Sequence, residues 1–558
     1  MQLTKIMNLS FFLLTYSMGI AQLDPTTQQK LDELFQGYDD QPGVATAIYS
    51  KGKIIYQKTA GYANLDYDHK INAQSVFDIG SLSMHFTAAC IVLLENDGKL
   101  SLDDPIRKHL PELPKYAEGE PTIRHLLHHT SGLRDYLVAI DMTKNTFDVT
   151  YDKQQGLDFL MKQKELGMTP GQEYEYSNSN YLLLNHIVSK VSGQSLGEFA
   201  EANIFKPLSM ENTFFLEEAG KVVKNRAVGY QKEGEDADFT QNHLFNFAAA
   251  GDGRLQTTLA DFIIWMQNFN RSKIGKADFI KQLLENGVEN DGDVMSYALG
   301  LEHGPYAGFN SYGHNGYWGS TSCFFLRFPQ PDISIVAFSI IGTVSSPGKV
   351  FQAAAILLEG IEPKEITESI TDKPTVAQTT AQLNQWTGDY IAYKTGYLRK
   401  IFMENDTLVY QISPENQYKL IPIGEGEFRM LETPFYSLQF KKTPNGQKNM
   451  NFIRTGITQY EYVDYQPSQP SMKNMETLAG RYYTDALDIY YDLSIEDNEL
   501  VVSVDNQEYT RFTPAMDNLF CSKSGHNGYF TFDKDSKGQP FFMMNDYSMK
   551  KVKFEKVE

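Results

Sequence analysis

The stretch FDIGSLSMHFTA, residues 77–88, decides the fold and the chemistry of this chain. Ser81 follows a glycine and stands before an apolar run that predicts a helix over residues 86–94. There the serine lies at the positive end of the helix dipole, so it is a candidate nucleophile as well as a candidate N-cap. His85 follows four residues later, a spacing that puts two side chains on one side of a helix. The stretch therefore predicts a serine site at a helix start.

Two later segments supply polar groups for such a site. The candidate residues in PGQEYEYSN, residues 170–178, and GHNGY, residues 313–317, are Tyr176, Asn178, His314, Gly316 and Tyr317. A serine hydroxyl is a weak nucleophile until a neighbouring base takes its proton. Each segment also has a plainer interpretation, the tyrosine as a buried aromatic and the His-Asn-Gly run as a turn. The order and flanks of the three segments together favour a catalytic site.

Together with LLHHTSGL at residues 126–133 and AGDGRL at residues 250–255, these segments resemble the serine β-lactamase and penicillin-binding protein family. The resemblance is greatest to its class C β-lactamase, D-aminopeptidase and esterase branch. It covers roughly residues 28–360. It implies an α+β fold in which an antiparallel sheet is flanked by helices, with a helical subdomain beside it. It implies neither a metal nor an organic cofactor.

The resemblance also implies roles for individual residues. Ser81 is the expected nucleophile, Tyr176 the expected general acid/base, and His314 the expected group that orients the substrate or polarises the site. Asn178 is expected to hold the substrate amide. Gly316 and Tyr317 belong to the segment that binds substrate, and the backbone N–H groups of Ser81 and Tyr317 are expected to form an oxyanion hole.

Met84 departs from the family pattern, since it stands where the resemblance predicts a lysine. A thioether neither accepts a proton readily nor carries a positive charge. Loss of a general base commonly lowers a rate by about 10²–10⁴. His85 is the nearest candidate for a rescue base, because of its helical spacing from Ser81, and His314 is a second candidate.

Two hypotheses for function follow from this departure. The first is a serine hydrolase that cleaves amides or esters through an acyl-serine and is weakened by loss of the lysine. Its substrates are small molecules or peptides, cell-wall fragments among them, and penicillin resistance is not expected. The second is a pseudoenzyme that binds peptides or cell-wall fragments on the same scaffold.

The chain beyond residue 380 predicts two tandem all-β modules. Residues 388–390, 404–409, 440 and 446–447 each have a counterpart 92 residues later. One offset at four landmarks indicates a duplication. The predicted organisation is a signal peptide (1–21), a β-lactamase-like domain (22–361), a linker (362–380) and two β-modules (381–470 and 471–558).

The N-terminus and the net charge predict an exported protein. Residues 1–21 combine Lys5, an apolar run and small residues before Gln22, as signal peptides do. The formal net charge of -20 argues against nucleic-acid binding. No later apolar run is long enough for a membrane span. We therefore expect a periplasmic or secreted protein.

Overall fold

The computed structural model describes residues 23–557 except 144–149, 235–236, 243, 245, 363–372, 394, 414–415, 432–435, 455–456, 469, 471, 523–527 and 547. The predicted signal peptide lies outside the described residues, as does most of the predicted linker. Among the described residues, no helix is long and apolar enough to cross a membrane. The three cysteines are buried and free.

The strands of the first 345 residues form one large antiparallel sheet and smaller ones. They are β1 (Val44–Ser50), β2 (Lys53–Ala60), β3 (Tyr62–Asn64), β4 (His69–Lys70), β5 (Val76–Asp78), β6 (Phe214–Phe215), β7 (Tyr230–Gln231), β8 (Thr240–Gln241), β9 (Leu255–Thr258), β10 (Glu302–Tyr306), β11 (Phe309–Trp318), β12 (Thr321–Phe328) and β13 (Ile333–Ser339). The large sheet has the order β10-β11-β12-β13-β1-β2. Its two N-terminal strands join the sheet through β1, in which Ala47 pairs with Val336.

The helices of this domain are α1 (Pro25–Leu34), α2 (Met84–Asn96), α3 (Ile106–His109), α4 (Ile123–Leu127), α5 (Tyr136–Met142), α6 (Lys153–Lys162), α7 (Asn178–Ser192), α8 (Leu196–Ala200), α9 (Lys206–Leu208), α10 (Leu259–Asn268), α11 (Phe279–Leu283) and α12 (Ser346–Leu358). A 3-10 helix, Gly80–Ser83, precedes α2, and a π-helical turn, Glu201–Phe205, follows α8.

The large sheet buries an apolar core on each face. Because side chains alternate along a strand, Ile48 and Ile335 face α1 and α12, while Ala47 and Val336 face the other core. That second core also contains α2, α7 and α10. The helices α4, α6 and α8 pack against α7 and form the helical subdomain. The predicted α+β class, with an antiparallel sheet flanked by helices, is confirmed.

The C-terminal region consists of two closed eight-stranded antiparallel barrels. The first contains β14 (Gly388–Ala392), β15 (Tyr397–Glu404), β16 (Thr407–Ser413), β17 (Asn416–Gly424), β18 (Glu427–Met430), β19 (Tyr436–Lys442), β20 (Lys448–Arg454) and β21 (Ile457–Tyr465). The second contains β22 (Gly480–Thr484), β23 (Ile489–Glu496), β24 (Glu499–Val504), β25 (Gln507–Met516), β26 (Leu519–Ser522), β27 (Tyr529–Lys534), β28 (Pro540–Asp546) and β29 (Met549–Lys556). The prediction of two tandem all-β modules is confirmed.

A short helix precedes each barrel and closes one of its ends. It is α13 (Thr380–Asn384) in the first barrel and α14 (Met472–Glu476) in the second. Leu383 and, 92 residues later, Met475 are buried in the respective cores. The predicted domain boundaries stay predictions, although both sets of strands lie inside the predicted modules.

The second barrel docks on the helical subdomain. The Tyr491 hydroxyl donates a hydrogen bond to the Met142 carbonyl at 3.2 Å. Asp135 N–H donates to the Ser548 carbonyl at 3.0 Å. Ala139 and Met142 of α5 are part of the apolar core of this barrel. The end of the barrel beside Tyr491 is therefore covered by a helix of the first domain.

Candidate active site

Ser81 is half-buried and lies in the 3-10 helix that leads into α2. Gly80 before it has a φ of 52°, a left-handed conformation that favours glycine. The Ser83 hydroxyl donates to the Gly80 carbonyl at 2.6 Å and accepts from the Leu255 N–H at 3.1 Å. These bonds hold the serine turn against β9.

Strand β11 runs directly beside the serine turn. A Cβ added at Gly80 would lie 2.7 Å from the Tyr317 nitrogen, and one added at Gly316 would lie 1.8 Å from the Ile79 carbonyl oxygen. Strand β10 pairs with β11 only up to residue 313, so residues 314–318 are free of it and face the turn. This is the approach that an oxyanion hole formed by Ser81 and Tyr317 requires.

Met84 lies at the centre of the site and is fully buried. The Tyr176 hydroxyl donates to the Met84 sulfur at 3.3 Å. The Tyr297 hydroxyl lies 3.9 Å from the same sulfur. A thioether is only a weak acceptor, so two phenols converge on a group that cannot take a proton from either.

Tyr176 keeps its proton in this environment. Burial raises the pKa of Tyr176, and the neighbouring Ser81 hydroxyl lowers it by less. His129 stacks on the Tyr176 ring at 4.3 Å between centroids, but burial lowers the pKa of His129 well below its usual value. The imidazole is therefore neutral at physiological pH and does not stabilise a phenolate.

His314 is buried beside Tyr297. Its Nδ1 lies 2.6 Å from the Asn315 carbonyl oxygen, and its Nε2 lies 3.1 Å from the Tyr297 hydroxyl. Since Nδ1 faces a carbonyl, it carries the proton and Nε2 accepts from Tyr297. The structure thus brings Ser81, Tyr176 and His314 to one site, with Tyr297 and the Met84 sulfur between the phenol and the imidazole.

Sequence comparison identifies the family of the chain. A family model described as Beta-lactamase matches residues 31–345, more than half of the chain. The chain belongs to the beta-lactamase family. Among curated proteins it is similar to Penicillin-binding protein 4* of Bacillus subtilis, with 27% identity over 396 residues, 68% of this chain and 85% of the relative.

Two solved structures have the same fold. A penicillin-binding protein homologue from Pyrococcus abyssi, described as octameric, aligns with a TM-score of 0.53 and 20% identity, covering 87% of this chain and 98% of its own. A D-amino acid amidase from Ochrobactrum anthropi aligns with a TM-score of 0.51 and 20% identity, covering 60% of this chain and all of its own. At these identities the likeness concerns the fold alone.

Asn178 is held by a buried carboxylate. Its backbone N–H and its side-chain NH₂ both donate to Asp135 Oδ2, at 2.6 and 2.7 Å. Asp135 also accepts from the Leu137 and Val138 N–H groups as the N-cap of α5. Asp135 therefore fixes the orientation of the Asn178 side chain.

His85 does not reach the serine. The ring is fully buried, its Nε2 accepts from the Trp265 indole N–H at 2.8 Å, and it lies 4.4 Å from the Phe86 ring. Burial lowers the pKa of His85 well below its usual value. The expectation that His85 faces Ser81 is therefore not met by this geometry, and we do not propose it as a base.

The loop that carries Tyr176 is held from the other end of the chain. Lys550 of β29 forms ion pairs with Glu173, at 3.1 Å, and with Glu175. Burial raises the pKa of Glu175, and the charge of Lys550 opposes that shift. Arg134 donates to the Lys550 and Lys551 carbonyls at 3.0 Å. The second barrel thus supports this beta-lactamase site.

Sequence reasoning missed several residues that complete the site. Tyr297 stands in no recognised segment, and Lys550 lies 377 residues from Glu173. Asp252 falls within the segment 250–255, which supported the family resemblance but in which no residue was assigned a function. It accepts from the Tyr136 hydroxyl at 2.8 Å, and burial raises the pKa of Asp252 to about 7.

Proposed function

We propose that the chain is a serine hydrolase of small amides or esters whose acylation step is slow. The contact between the Tyr176 hydroxyl and the Met84 sulfur carries the proposal. Ser81 lies beside a phenol and beside backbone N–H groups that can form an oxyanion hole, which favours acyl transfer. The contact with Met84 also leaves the serine without a charged base, which slows the same step.

In the proposed reaction, Ser81 Oγ attacks the substrate carbonyl and forms a C–O bond. The serine proton passes through Tyr176 to the leaving amine or alkoxide as the C–N or C–O bond breaks. Water then releases the acid from the acyl-serine. Asn178 orients the substrate amide in this scheme. His314 holds the Tyr297 hydroxyl in place through the hydrogen bond at its Nε2.

The proposal is tested by covalent labelling of Ser81. The native chain, Ser81→Ala, Met84→Lys and Met84→Leu are incubated with a fluorophosphonate and with a penicillin, and the added mass is located by peptide mass spectrometry. We expect slow labelling of the native chain, none in Ser81→Ala, and labelling about 10²–10⁴ times faster in Met84→Lys. Burial lowers the pKa of a lysine, so part of the population at position 84 is an unprotonated base.

Met84→Leu is the matched control, since it keeps the volume and adds no base. Equal rates in Met84→Lys and Met84→Leu contradict the proposal. The absence of labelling in both the native chain and Met84→Lys also contradicts it.

A non-catalytic binding protein is the second candidate, because the residue at the centre of the site, Met84, is a buried thioether and not a base. Silence in all four labelling experiments, with measurable binding of cell-wall fragments, supports this candidate. Retention of binding in Ser81→Ala then distinguishes recognition from acylation.

We also propose that the protein is exported. The support is the signal-peptide pattern of residues 1–21. Expression of the full chain in a bacterium with a secretion system, followed by N-terminal sequencing of the exported fraction, tests this. We expect the mature chain to begin at Gln22, and an uncleaved chain retained in the cytoplasm contradicts the proposal.

A further inference from the structure

A buried ion pair lies directly behind the serine turn. Asp78, at the end of β5, and Arg254, just before β9, have side chains that are only 1% exposed. Arg254 Nη1 donates to Asp78 Oδ2 at 2.5 Å, and Gln256 Nε2 donates to the same oxygen at 2.9 Å. Taking two charges out of water costs about as much free energy as their attraction returns. Fold stability alone is therefore a weak explanation for this pair.

Arg254 reaches Asp78 at a further cost. Its φ is 67°, in the left-handed region that costs free energy for a residue other than glycine. Its Nε and Nη2 are buried and have no hydrogen-bond partner among the described residues. Buried donors without a partner also cost free energy. Strain of this kind is typical of sites whose geometry matters for function.

The second oxygen of Asp78 holds the residue before the nucleophile. The Gly80 N–H donates to Asp78 Oδ1 at 3.2 Å, and the Ser83 hydroxyl donates to the Gly80 carbonyl at 2.6 Å. Both backbone groups of Gly80 are therefore fixed, and with them its left-handed φ of 52°. Asp78 thus connects the ion pair with the serine turn.

These hydrogen bonds set the direction of the Ser81 N–H. A peptide unit is planar and trans, so the C=O of Gly80 and the N–H of Ser81 point in opposite directions. Since the Ser83 hydroxyl binds that carbonyl, the Ser81 N–H points away from Ser83. This N–H group is one of the two expected donors of the oxyanion hole. Its direction decides how well it stabilises the developing negative charge.

Arg254 also borders the strand that carries the second expected donor. Its Cζ lies 5.9 Å from the centroid of the Trp318 ring, and Trp318 follows Tyr317 in β11. The residue before the arginine packs on the serine turn, since a Cβ added at Gly253 would lie 3.7 Å from the Gly80 carbonyl carbon. The arginine and its neighbour therefore border both segments of the expected oxyanion hole.

We propose that Asp78 and Arg254 are positioning residues for the oxyanion hole. Asp78 fixes the peptide unit between Gly80 and Ser81, while Arg254 fixes Asp78 and balances its charge. Without the arginine, a carboxylate beside the serine turn would repel the negative oxygen of the acylation step. Both roles rest on the proposed function of Ser81 and explain what holds its backbone donor in place.

A boronic acid tests this role without a turnover assay. The serine oxygen bonds to boron, the serine proton leaves to water, and boron becomes a negatively charged tetrahedral centre with an oxygen in the oxyanion position. The affinity of the full chain for phenylboronic acid is measured by calorimetry and boron NMR. We expect binding to the native chain, none to Ser81→Ala, and binding about 10–100 times weaker to Asp78→Ala and to Arg254→Met, because a displaced donor stabilises the oxyanion less.

Two further variants separate positioning from stability, which urea denaturation measures for each chain. Asp78→Asn keeps an oxygen for the Gly80 N–H but leaves Arg254 without a negative partner. We expect it to be less stable than the native chain while its boronate affinity stays close to native. Asp261→Ala is the matched control, because Asp261 is also buried and accepts from a backbone N–H, that of Asn212 at 2.7 Å. It should lower stability without weakening the boronate complex.

Equal boronate affinity in the native chain and in Asp78→Ala overturns the proposal, as does an equal loss in Asp78→Ala and Asp261→Ala. Asp78→Glu, which keeps the charge but displaces the carboxylate, replaces Asp78→Ala if that variant does not fold. It should weaken the boronate complex in the same direction.

The boronate and the fluorophosphonate together distinguish this role from the proposed hydrolysis. If Ser81 is labelled but the native chain binds no boronate, the positioning role is overturned and the hydrolysis stands. If boronate binding depends on Asp78 but Ser81 is labelled neither in the native chain nor in Met84→Lys, the positioning role stands and the hydrolysis is contradicted. The absence of both labelling and boronate binding overturns both.

Discussion

The two barrels have the same strand order and the same sealing helix, yet their other ends have different surroundings. The second barrel meets α5 there, through Tyr491 and Met142. The first presents Arg399 among half-buried aromatic rings. The scaffold was kept after duplication, while the end that faces the rest of the molecule diverged. One copy became a support for the first domain, and the other has a buried arginine at the corresponding position of its strand.

The features that the barrels share belong to their construction. The Tyr390 hydroxyl donates to the carbonyl of Trp386 at 2.7 Å, and Tyr482 does the same to Leu478 at 2.9 Å. A β-bulge follows Pro422 in one barrel and Pro514 in the other. These positions set the strand geometry, so they repeat where function does not require a change.

The largest expected effect concerns the docked end of the second barrel. Met142→Asp places a carboxylate in an apolar core, and we expect unfolding free energy to fall by about 4 kcal/mol. Urea denaturation of the full chain measures it. Met142→Leu is the control, with an expected change below about 1.5 kcal/mol. Equal stability of the two variants would mean that α5 does not close this barrel in solution.

A second effect concerns the ion pairs of Lys550 with Glu173 and Glu175, which form a clamp between the second barrel and the Tyr176 loop. Lys550→Met leaves the buried Glu175 without its cation, and we expect a loss of about 3 kcal/mol at pH 8. The folded pKa of Glu175 is already raised by burial and rises further in the variant. The folded state therefore prefers the protonated acid, and the loss of stability grows as the pH rises through that raised pKa.

Below the ordinary pKa of a glutamate, both states are protonated and this loss disappears. Denaturation at a series of pH values checks the sign. Lys551→Met is the matched control, because Lys551 is the next residue and its side chain is exposed. A Lys550→Met variant whose stability deficit shrinks with rising pH would refute the clamp.

A third comparison uses the pair of residues that distinguishes the barrels. Tyr491→Met removes a ring and a hydrogen bond to Met142, and we expect a loss of about 2 kcal/mol. Arg399→Met removes a buried charge that has no acidic partner among the described residues, so we expect a change within about 1 kcal/mol of zero. Thermal and urea unfolding of both variants measure the difference. A larger loss for Arg399→Met would show that the arginine stabilises its barrel.

The smallest effect tests what the barrels share. Tyr390→Phe and Tyr482→Phe each remove one hydroxyl that bonds to a carbonyl four residues earlier. We expect each to lower stability by about 1 kcal/mol. Unequal losses would show that these two hydrogen bonds no longer contribute equally to the two barrels.

The sequence predicted the fold and the meeting of the distant site segments because both leave local patterns. The offset of 92 residues predicted the duplication, and the order of the three segments predicted that Ser81, Tyr176 and His314 come together. Neither Tyr297 nor Lys550 has such a pattern, because each acts through contacts that only the folded chain creates. The docking of α5 in the second barrel joins residues 349 positions apart and was equally invisible.

The expectation for His85 failed for a geometric reason. It assumed an α-helix through Ser81, in which residues four apart share a side. The chain instead passes through a 3-10 turn at Gly80–Ser83 before α2 begins. In a 3-10 helix residues three apart are eclipsed, so Met84 lies over Ser81 and His85 turns into the core.

The contact of Lys550 with the Tyr176 loop also governs when the protein can finish folding. The loop is made early during synthesis, whereas its clamp is made 377 residues later, almost at the end of translation. A nascent chain can therefore form its central sheet and its first barrel while the loop that places Tyr176 beside Ser81 is not yet held by Lys550. The site is therefore complete only after the last strand has been added to the second barrel. A truncation just before Lys550 would leave the Tyr176 loop without its ion pairs, although the loop lies far from the C-terminus in the sequence.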